Sequence, residues 1–201
     1  MLTIGLTGGI GSGKTTIANF FASEFSIPIY IADAKAKELI AQDIGLQQEI
    51  KALLGEEAFV NGKYNTAFVA SIVFSNPQKL QALNAIIHPY VQRDFEQWKE
   101  KQHSSYVIKE SAILFESGTY KDCDQVIVVT APLEERIRRV MLRDNIDRKI
   151  VEKRIKNQWN DENKIKLSTF VVDNGKSDGI LDKIQTIHSK IMEMINENAE
   201  N

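Results

Sequence analysis

A glycine-rich stretch near the start of the chain, GLTGGIGSGKTT at residues 5–16, combines residue types that can bind a phosphate chain. It fits the pattern G-x-x-x-x-G-K-[ST], with Gly8, Gly13, Lys14 and Thr15 at the fixed positions. Glycines permit backbone turns in which successive N–H groups point at phosphate oxygens. The lysine would reach the β- and γ-phosphates, and the threonine hydroxyl would bind Mg²⁺. The stretch therefore predicts a nucleotide phosphate site. The other loop residues that we expect to contact the nucleotide are Gly9, Gly11, Ser12 and Thr16.

The segments on both sides of this loop support that interpretation. LTIGL is a short apolar strand candidate, and TTIANFFASEF at 15–25 places apolar side chains at helical spacing, namely Ile17, Phe20, Phe21 and Phe25. A helix that begins near Lys14 would direct the positive end of its dipole at the same phosphate. The alternative is a glycine-rich turn without a ligand, which four matched positions between a strand and a helix disfavour.

Phosphoryl transfer also needs acids, one beside Mg²⁺ and one to orient the attacking hydroxyl. Asp33 follows the strand candidate IPIYI and Glu110 closes the strand candidate YVIKE, which places both at the carboxyl edge of a parallel sheet. Asp33 could orient the hydroxyl or cap a helix, and position alone leaves these two roles equal. Glu110 is expected on the metal side. Glu116 in ILFESG is its rival, and either glutamate could instead be a solvated loop acid.

A further group of candidates lies on the arginine-rich helix predicted for PLEERIRRVMLRD, residues 132–144. Arg139 and Arg143 stand four residues apart and share one helix face. These two arginines could form a mobile lid over the triphosphate of a bound nucleotide. A charge-rich stripe is more often a solvated helix face, and we expect that situation for Arg136 and Arg138.

The order of the predicted elements indicates an α/β fold with a parallel sheet of about five strands flanked by helices. Helical patterns separate the strand candidates, which are residues 2–6, 27–31, 106–110, 125–130 and 169–173. Further helices are predicted at 147–166 and 178–198. The gap 34–105 is too long for a simple crossover and is predicted to be helical almost throughout, with Pro89 expected to kink or divide its last helix. We interpret this insertion as a substrate-binding lobe. Packing that extends the core is the alternative.

The overall composition limits the classes of partner. The 201 residues can hold one sizeable core with a small appended or inserted domain. The 25 basic and 27 acidic side chains nearly cancel, so no basic field is available to attract nucleic acid. The single cysteine, Cys123, suits a reducing compartment. Neither a signal-peptide pattern nor an apolar run of membrane-spanning length occurs. We therefore expect a cytoplasmic protein that needs neither a membrane nor an obligate protein partner.

The loop and several further motifs resemble the dephospho-coenzyme A kinase family over nearly the whole chain. LTGGIGSGK is that family's form of the phosphate loop, and Asp33 falls on the second acid of its DAD segment. LNAIIHP at 83–89 matches its leucine-asparagine and histidine-proline signature, and ILFESG at 113–118 matches its PLLFE segment. The R…RD helix and VVDNG at 171–175 match its lid and its last strand. The departures from the family pattern are Ile31 for the first acid of DAD, Ala112 for the proline of PLLFE and Thr66 for an arginine of the helical lobe.

The resemblance implies a fold and a reaction. The fold is a nucleoside-kinase-like core formed by residues 1–33 and 106–201, with a lid near 136–150 and an inserted helical CoA lobe at 34–105. The reaction is transfer of the γ-phosphate of ATP, with Mg²⁺, to the ribose 3′-hydroxyl of dephospho-CoA.

The same resemblance implies roles for single residues. Asp33 would act as the general base, while Lys14 and Arg139 would stabilise the transferring phosphoryl group. Arg143 and Asn174 would contact ATP, and the loop after Asn174 would lie near the adenine.

Two rival functions stay open from the residues alone. A different small-molecule kinase, for a nucleoside or a short sugar acid, would show the same loop and lid but gives no reason for a long helical lobe containing LNAIIHP. A GTP-dependent switch should show an NKxD-type guanine motif after a late strand, and DNGK at 173–176 does not have that pattern.

Overall fold

The computed structural model describes residues 1–73, 75–175 and 179–199. The chain forms two compact units. One unit comprises Met1–Tyr30 and Gln102–Asn201, and the other comprises Ile31–Lys101. The function of each unit, including the assignment of 34–105 as a substrate lobe, stays a prediction.

Within the described ranges the strands are β1 (Leu2–Gly8), β2 (Ile29–Ile31), β3 (Phe59–Val60), β4 (Lys63–Tyr64), β5 (Tyr106–Glu110), β6 (Gln125–Thr130) and β7 (Phe170–Asp173). The α-helices there are α1 (Lys14–Phe25), α2 (Ala32–Gln42), α3 (Ile44–Leu54), α4 (Thr66–Val73), α5 (Pro77–Lys99), α6 (Leu133–Asp144), α7 (Arg148–Lys156), α8 (Asp161–Lys166) and α9 (Ile180–Ala199).

Five of the strands form one sheet in the order β2-β5-β1-β6-β7. β1 pairs in parallel with β5 and with β6, and β6 pairs in parallel with β7. Each of the five predicted strands corresponds to a strand of this sheet, so the predicted α/β class is confirmed. Because β1 is central, the loop that follows it lies between the carboxyl ends of β5 and β6.

Apolar side chains on the strands and helices of the first unit form one core. Ile4 and Leu6 of β1 and Ile127 of β6 are fully buried among side chains of α1 and α9. Strands that are covered on both faces are apolar along their length rather than alternating. The predicted isoleucine stripe of the last helix packs into the same core, where Ile180, Ile184, Ile187 and Ile191 are buried and Ile195 is partly buried.

The second unit contains α2 to α5 and a short antiparallel hairpin formed by β3 and β4. The prediction of helices almost throughout this segment missed the hairpin. Asn61 and Gly62 connect the two strands with φ angles of 52° and 74°. An Asn-Gly pair is the usual sequence signal for a two-residue turn in which both residues have positive φ. The signal was therefore present in the sequence.

α5 continues through Pro89 as one helix, so this proline does not divide it, and a kink, the other part of the expectation, stays a prediction. Proline removes one backbone hydrogen bond and crowds the preceding turn. The helix persists because its buried side chains lie on both sides of the proline, with Leu83 before it and Val91 and Phe95 after it. Burial of such side chains stabilises by about 1.5–3 kcal/mol each, which offsets the local cost.

The charged segment predicted as helical at 147–166 forms two helices, α7 and α8, and the predicted C-terminal helix is α9. Some of the predictions fall on residues that the structure does not describe. These are Phe74 in the predicted helical insertion and residues 176–178, which include the predicted start of the C-terminal helix at Asp178. Across the described part of the chain, no helix combines the length and the apolar content needed to cross a membrane.

Candidate active site

The phosphate loop connects β1 to α1. Gly8 is the last residue of the strand and Lys14 is the first residue of the helix. Gly13 at the helix N-cap has a φ of 92° and Gly11 has a φ of 79°, which only glycine adopts readily. A side chain added to Gly13 would also collide with the amide of Asn174. The loop is therefore a tight backbone turn at a helix N-terminus, an arrangement that favours anions.

The loop contains a buried hydroxyl that the protein does not satisfy. Ser12 is fully buried, and its Oγ has no hydrogen-bond partner among the described residues. Leaving a buried polar group unsatisfied costs about 1–3 kcal/mol. A phosphate in the loop would offer acceptor oxygens to this hydroxyl, so the buried Ser12 fits an anion site for a reason independent of the glycine pattern.

Lys14 and Glu110 lie close together at the carboxyl edge of the sheet. Lys14 Nζ donates a hydrogen bond to the Gly8 carbonyl oxygen at 3.1 Å and lies 3.9 Å from Glu110 Oε1. The two side chains are only 11% and 9% exposed. Glu110 pairs with Leu6 in the sheet, which places it beside the end of β1. The ammonium and the carboxylate therefore interact in a poorly solvated place, in which charges act more strongly than in water.

The residues predicted to bind Mg²⁺ fit that ion's chemistry. Mg²⁺ commonly takes one or two carboxylates from the protein, while phosphates and waters complete its shell. Thr15 offers an exposed hydroxyl in the first turn of α1, and Glu110 offers a carboxylate at the end of β5. No group of three or more His, Cys, Asp or Glu able to hold a metal occurs in the described ranges. With Thr15 and Glu110 as its protein ligands, Mg²⁺ would take its other ligands from phosphates and water.

Arg139 and Asn174 contact the loop from the other side of the site. Arg139 Nη1 lies 3.5 Å from the carbonyl oxygens of Gly11 and Ser12, and its Nη2 donates to the Asn174 carbonyl oxygen at 3.0 Å. Asn174 Nδ2 donates to the Ser12 carbonyl oxygen at 2.8 Å. Arg139 Nε donates to Glu135 Oε1 at 2.9 Å. The structure therefore brings Arg139, predicted to stabilise the transferring phosphoryl group, and Asn174, predicted to contact ATP, to the loop backbone.

Arg138 and Arg143 point elsewhere. Arg138 is 61% exposed and donates two hydrogen bonds to Glu135, at 2.7 and 2.9 Å, as predicted for a solvated face. These bonds, with help from Arg139, lower the pKa of the Glu135 carboxyl to about 2. Arg143 is 63% exposed and donates to both carboxylate oxygens of Asp144. Of the two predicted lid arginines, Arg139 therefore contacts the loop backbone in this structure, and Arg143 bonds Asp144 instead.

The prediction that Arg136 lies on a solvated face is wrong. Its side chain is buried, because it packs against the phosphate loop instead of extending into solvent. Arg136 Nε donates to the Ile10 carbonyl oxygen at 3.0 Å, and its Nη1 pairs with Asp161 Oδ2 at 3.0 Å. A side chain on Gly9 would collide with this guanidinium. Helix periodicity could not reveal this burial, since both partners are distant in the sequence.

Glu116, the rival candidate for the metal-side acid, has other partners. Its Oε1 accepts the Trp159 backbone N–H at 2.8 Å and lies 3.0 Å from the Nζ of Lys164, which is fully buried. The lysine contact is an ion pair without the alignment of a hydrogen bond. A buried lysine needs such a partner, because an uncompensated buried charge is strongly destabilising. These contacts favour Glu110 over Glu116 as the acid beside a metal.

Gln158 also contacts the loop, although nothing in the sequence singled it out. Its Oε1 accepts the Ile10 N–H at 2.8 Å, and its Nε2 donates to the Ala112 carbonyl oxygen at 3.0 Å. It follows α7 in a segment whose only sequence signal was its high charge. Contacts made across 148 residues of chain leave no local pattern.

Asp33 lies in the second unit, as the second residue of α2, and is exposed. The N-cap position of that helix is Ile31, whose side chain makes no capping hydrogen bond. The interpretation of Asp33 as a helix cap is therefore wrong, although an acid in the first turn still suits the helix dipole. Its catalytic role stays a prediction.

The fold and the loop together define a class of protein. A parallel sheet whose central first strand leads through G-x-x-x-x-G-K-T into a helix is the nucleotide-binding core of P-loop kinases. Lys14 and Arg139 contact that loop.

Comparison with known proteins places the chain within this class. The sequence model of dephospho-CoA kinase matches residues 2–179. The dephospho-CoA kinase of Bacteroides fragilis is 38% identical over 174 residues, which cover 86% of this chain and 84% of that protein. A crystal structure of a Thermus thermophilus protein matches with a TM-score of 0.83 and 35% identity, over 96% of this chain and 97% of that chain. The dephospho-CoA kinase of Campylobacter jejuni, 22% identical, shares the fold with a TM-score of 0.64 over 98% of both chains. The chain belongs to the dephospho-CoA kinase family, which confirms the resemblance seen in the sequence.

Proposed function

We propose that the protein transfers the γ-phosphoryl group of ATP to the ribose 3′-hydroxyl of dephospho-CoA, which yields CoA in the last step of its biosynthesis. Membership of the family supports this acceptor. The observation that supports a nucleotide as the phosphoryl donor is the position of Lys14 Nζ. This atom is held at the Gly8 carbonyl oxygen, 3.9 Å from Glu110 Oε1. A cation at that place suits the charge that spreads over a transferring phosphoryl group.

The binding of the triphosphate falls to the loop in this proposal. Backbone N–H groups at the start of α1 and the Ser12 hydroxyl would bind phosphate oxygens. Lys14 and Arg139 would stabilise the transferring group, since positioned charges in a poorly solvated site contribute most to such reactions. Thr16, next to Thr15 in the first turn, would add a hydroxyl to the same site.

Thr15 and Glu110 would hold Mg²⁺. When bound, this ion neutralises charge on the β- and γ-phosphates. The Thr15 hydroxyl is exposed in the first turn of α1, and the Glu110 carboxylate stands at the end of the adjacent strand.

Asp33 would act as the general base. Its carboxylate would accept a hydrogen bond from the 3′-hydroxyl and then its proton as the O–P bond forms. A loose transition state requires little proton removal early, so orientation of the hydroxyl would supply much of the effect. Ile31, two residues earlier, offers no second carboxylate that could replace it.

The remaining assignments complete the proposal. Asn174 and the loop that follows it would lie near the adenine, although 176–178 lie outside the described residues. Arg143 would have to exchange Asp144 for a phosphate in order to contact ATP.

We further propose a cytoplasmic protein that acts without nucleic acid, a membrane or an obligate protein partner. The near-balance of charge and the single cysteine support this part.

One experiment tests the function directly. The protein is incubated with Mg·ATP and dephospho-CoA, and the products are identified by mass. CoA and ADP in equal amounts are expected. ADP formed only with a nucleoside or sugar acid would favour another small-molecule kinase. Slow ADP release that does not depend on any acceptor would favour a nucleotide switch.

A further inference from the structure

We propose that Gln158 and Arg136 are positioning residues that hold the phosphate loop in its binding conformation by fixing both polar backbone groups of Ile10. The proposal rests on the function proposed above and extends it, because it identifies the residues that maintain the conformation of the ATP-binding loop. Neither residue needs to touch the nucleotide for this role.

Ile10 lies in the middle of the loop, and its backbone is held on both sides. Its N–H donates to Gln158 Oε1 at 2.8 Å, and its carbonyl oxygen accepts from Arg136 Nε at 3.0 Å. These two groups belong to successive peptide units, so neither unit can rotate without breaking a hydrogen bond. The Ile10 N–H is committed to Gln158 and is not available as a phosphate donor. A carbonyl oxygen turned toward the phosphates would repel them, and the bond to Arg136 prevents that rotation.

Gln158 is itself anchored to the segment that follows β5. Its Nε2 donates to the Ala112 carbonyl oxygen at 3.0 Å, so the orientation of the amide is fixed at both ends. The next residue, Trp159, donates its backbone N–H to Glu116 at 2.8 Å, and its ring stacks on Phe115 with centroids 6.2 Å apart. Glu116 is paired in turn with the buried Lys164.

Arg136 is anchored independently of Gln158. Its guanidinium pairs with Asp161 at 3.0 Å and lies against Gly9, and its own carbonyl group lies against Gly11. Arg136 therefore contacts three successive residues of the loop. Gly9 and Gly11 are the positions at which any side chain would push this arginine away.

The consequence concerns the population of loop conformations. A ligand that binds only one conformation has an apparent Kd equal to its intrinsic Kd divided by the populated fraction of that conformation. Hydrogen bonds from outside the loop raise that fraction before ATP arrives. Their loss should weaken ATP binding and free the Ile10 amide, while the binding of dephospho-CoA should not change.

Gln158→Met tests this, because methionine has a similar volume and neither hydrogen bond. The Kd of ATP, measured by calorimetry without acceptor, should rise about tenfold, the size of effect expected when one or two positioning hydrogen bonds are lost. In the nucleotide-free protein the Ile10 amide should exchange its hydrogen faster. The KM of dephospho-CoA should stay unchanged. Gln185→Met on the exposed side of α9 is the matched control, for which no change is expected.

Gln158→Glu supplies a pH profile that a general loss of stability would not produce. When ionised, the new carboxylate can accept the Ile10 N–H, but its other oxygen faces the Ala112 carbonyl oxygen and repels it. When protonated, it can donate to Ala112 as glutamine does. The ratio of its ATP Kd to that of the wild type should therefore fall toward one as the pH falls from about 8 to about 5. A ratio that does not depend on pH would contradict the proposal.

Arg136→Lys and Arg138→Lys form a second matched pair on one helix. Lysine keeps a positive charge beside Asp161 but cannot donate from the Nε position of arginine to Ile10. Arg136→Lys should weaken ATP binding several-fold, whereas Arg138→Lys, at an exposed position, should not.

The positioning role is refuted if Gln158→Met leaves the Kd of ATP unchanged, or if it weakens the binding of ATP and of dephospho-CoA equally. These binding measurements need no turnover. Failure of the positioning proposal can therefore be distinguished from failure of the proposed function, which the CoA-forming assay tests.

Discussion

Arg139→Ala removes the guanidinium that contacts the phosphate loop, and its expected effect is catalytic rather than structural. If this group meets charge that develops during transfer, kcat with dephospho-CoA should fall about 10²–10³-fold, or about 2.7–4 kcal/mol. The Kd of ATP should change much less, because the interaction is strongest in the transition state. Steady-state kinetics with both substrates, together with ATP calorimetry, measures the two effects separately.

The cost to the folded state can be estimated from the contacts of Arg139. It loses one hydrogen bond to the Asn174 carbonyl oxygen, worth about 1 kcal/mol, two longer contacts of 3.5 Å to the Gly11 and Ser12 carbonyl oxygens, and an exposed pair with Glu135 that adds little. A loss of about 1–2 kcal/mol lowers the Tm of a chain of this size by about 2–8 °C. The variant should therefore be folded at assay temperature.

Arg138→Ala is the control, because both arginines bind Glu135 and only Arg139 contacts the loop. Removal of either one leaves Glu135 paired with the other. Arg138→Ala should change kcat by about twofold or less, as expected for an exposed surface pair. Equal effects of the two substitutions would refute the catalytic role of Arg139 and reduce it to general surface charge.

Three further predictions concern other parts of the molecule. Lys14→Ala should leave the fold intact but lower kcat about 10²-fold or more, measured as CoA formation, because the lost charge acts on the transferring phosphoryl group. Asp33→Asn should melt within a few degrees of the wild type, because asparagine keeps the shape of the side chain and the lost helix-dipole contribution is about 0.3–1 kcal/mol, yet it should lose most of its kcat, about 10²-fold or more. Burial lowers the pKa of His188 below its ordinary 6.5, and its ring stacks on Phe25 and bonds the Tyr106 hydroxyl at 2.8 Å. The unfolded chain therefore binds the proton more readily, so thermal stability should fall as the pH drops below about 6.5, and His188→Gln should lack this part of the pH dependence.

Each of these has an outcome that contradicts it. Normal turnover by a folded Lys14→Ala protein would remove the loop from catalysis. Near-wild-type kcat in Asp33→Asn would mean that the general base is another residue. For His188, the reasoning fails if melting temperatures of the wild type and of His188→Gln fall in parallel between about pH 7.5 and 5.5.

Several features of the protein follow from the sequence because their signals are local. The phosphate loop depends on glycine, lysine and threonine at fixed spacing between a strand and a helix, and all of these lie within 5–25. The five sheet strands are short apolar runs that a covered parallel sheet requires. The hairpin at 59–64 also had a local signal, the Asn-Gly turn, although the helical patterns on both sides obscured it.

Other features depended on which segments meet in the folded chain. Pro89 predicts a kink or a break when only its own helix is considered, but apolar packing on both sides keeps the helix continuous. Arg136 and Arg138 have the same side chain on one helix, yet one is buried on the loop and the other is exposed. The contacts that decide this join Arg136 to Ile10, 126 positions away, and to Asp161, 25 positions away. Hydrogen bonds and ion pairs act over a few ångströms, so tertiary packing decides which residues become partners. A single sequence gives no local signal of such a pairing at either of the two partner residues.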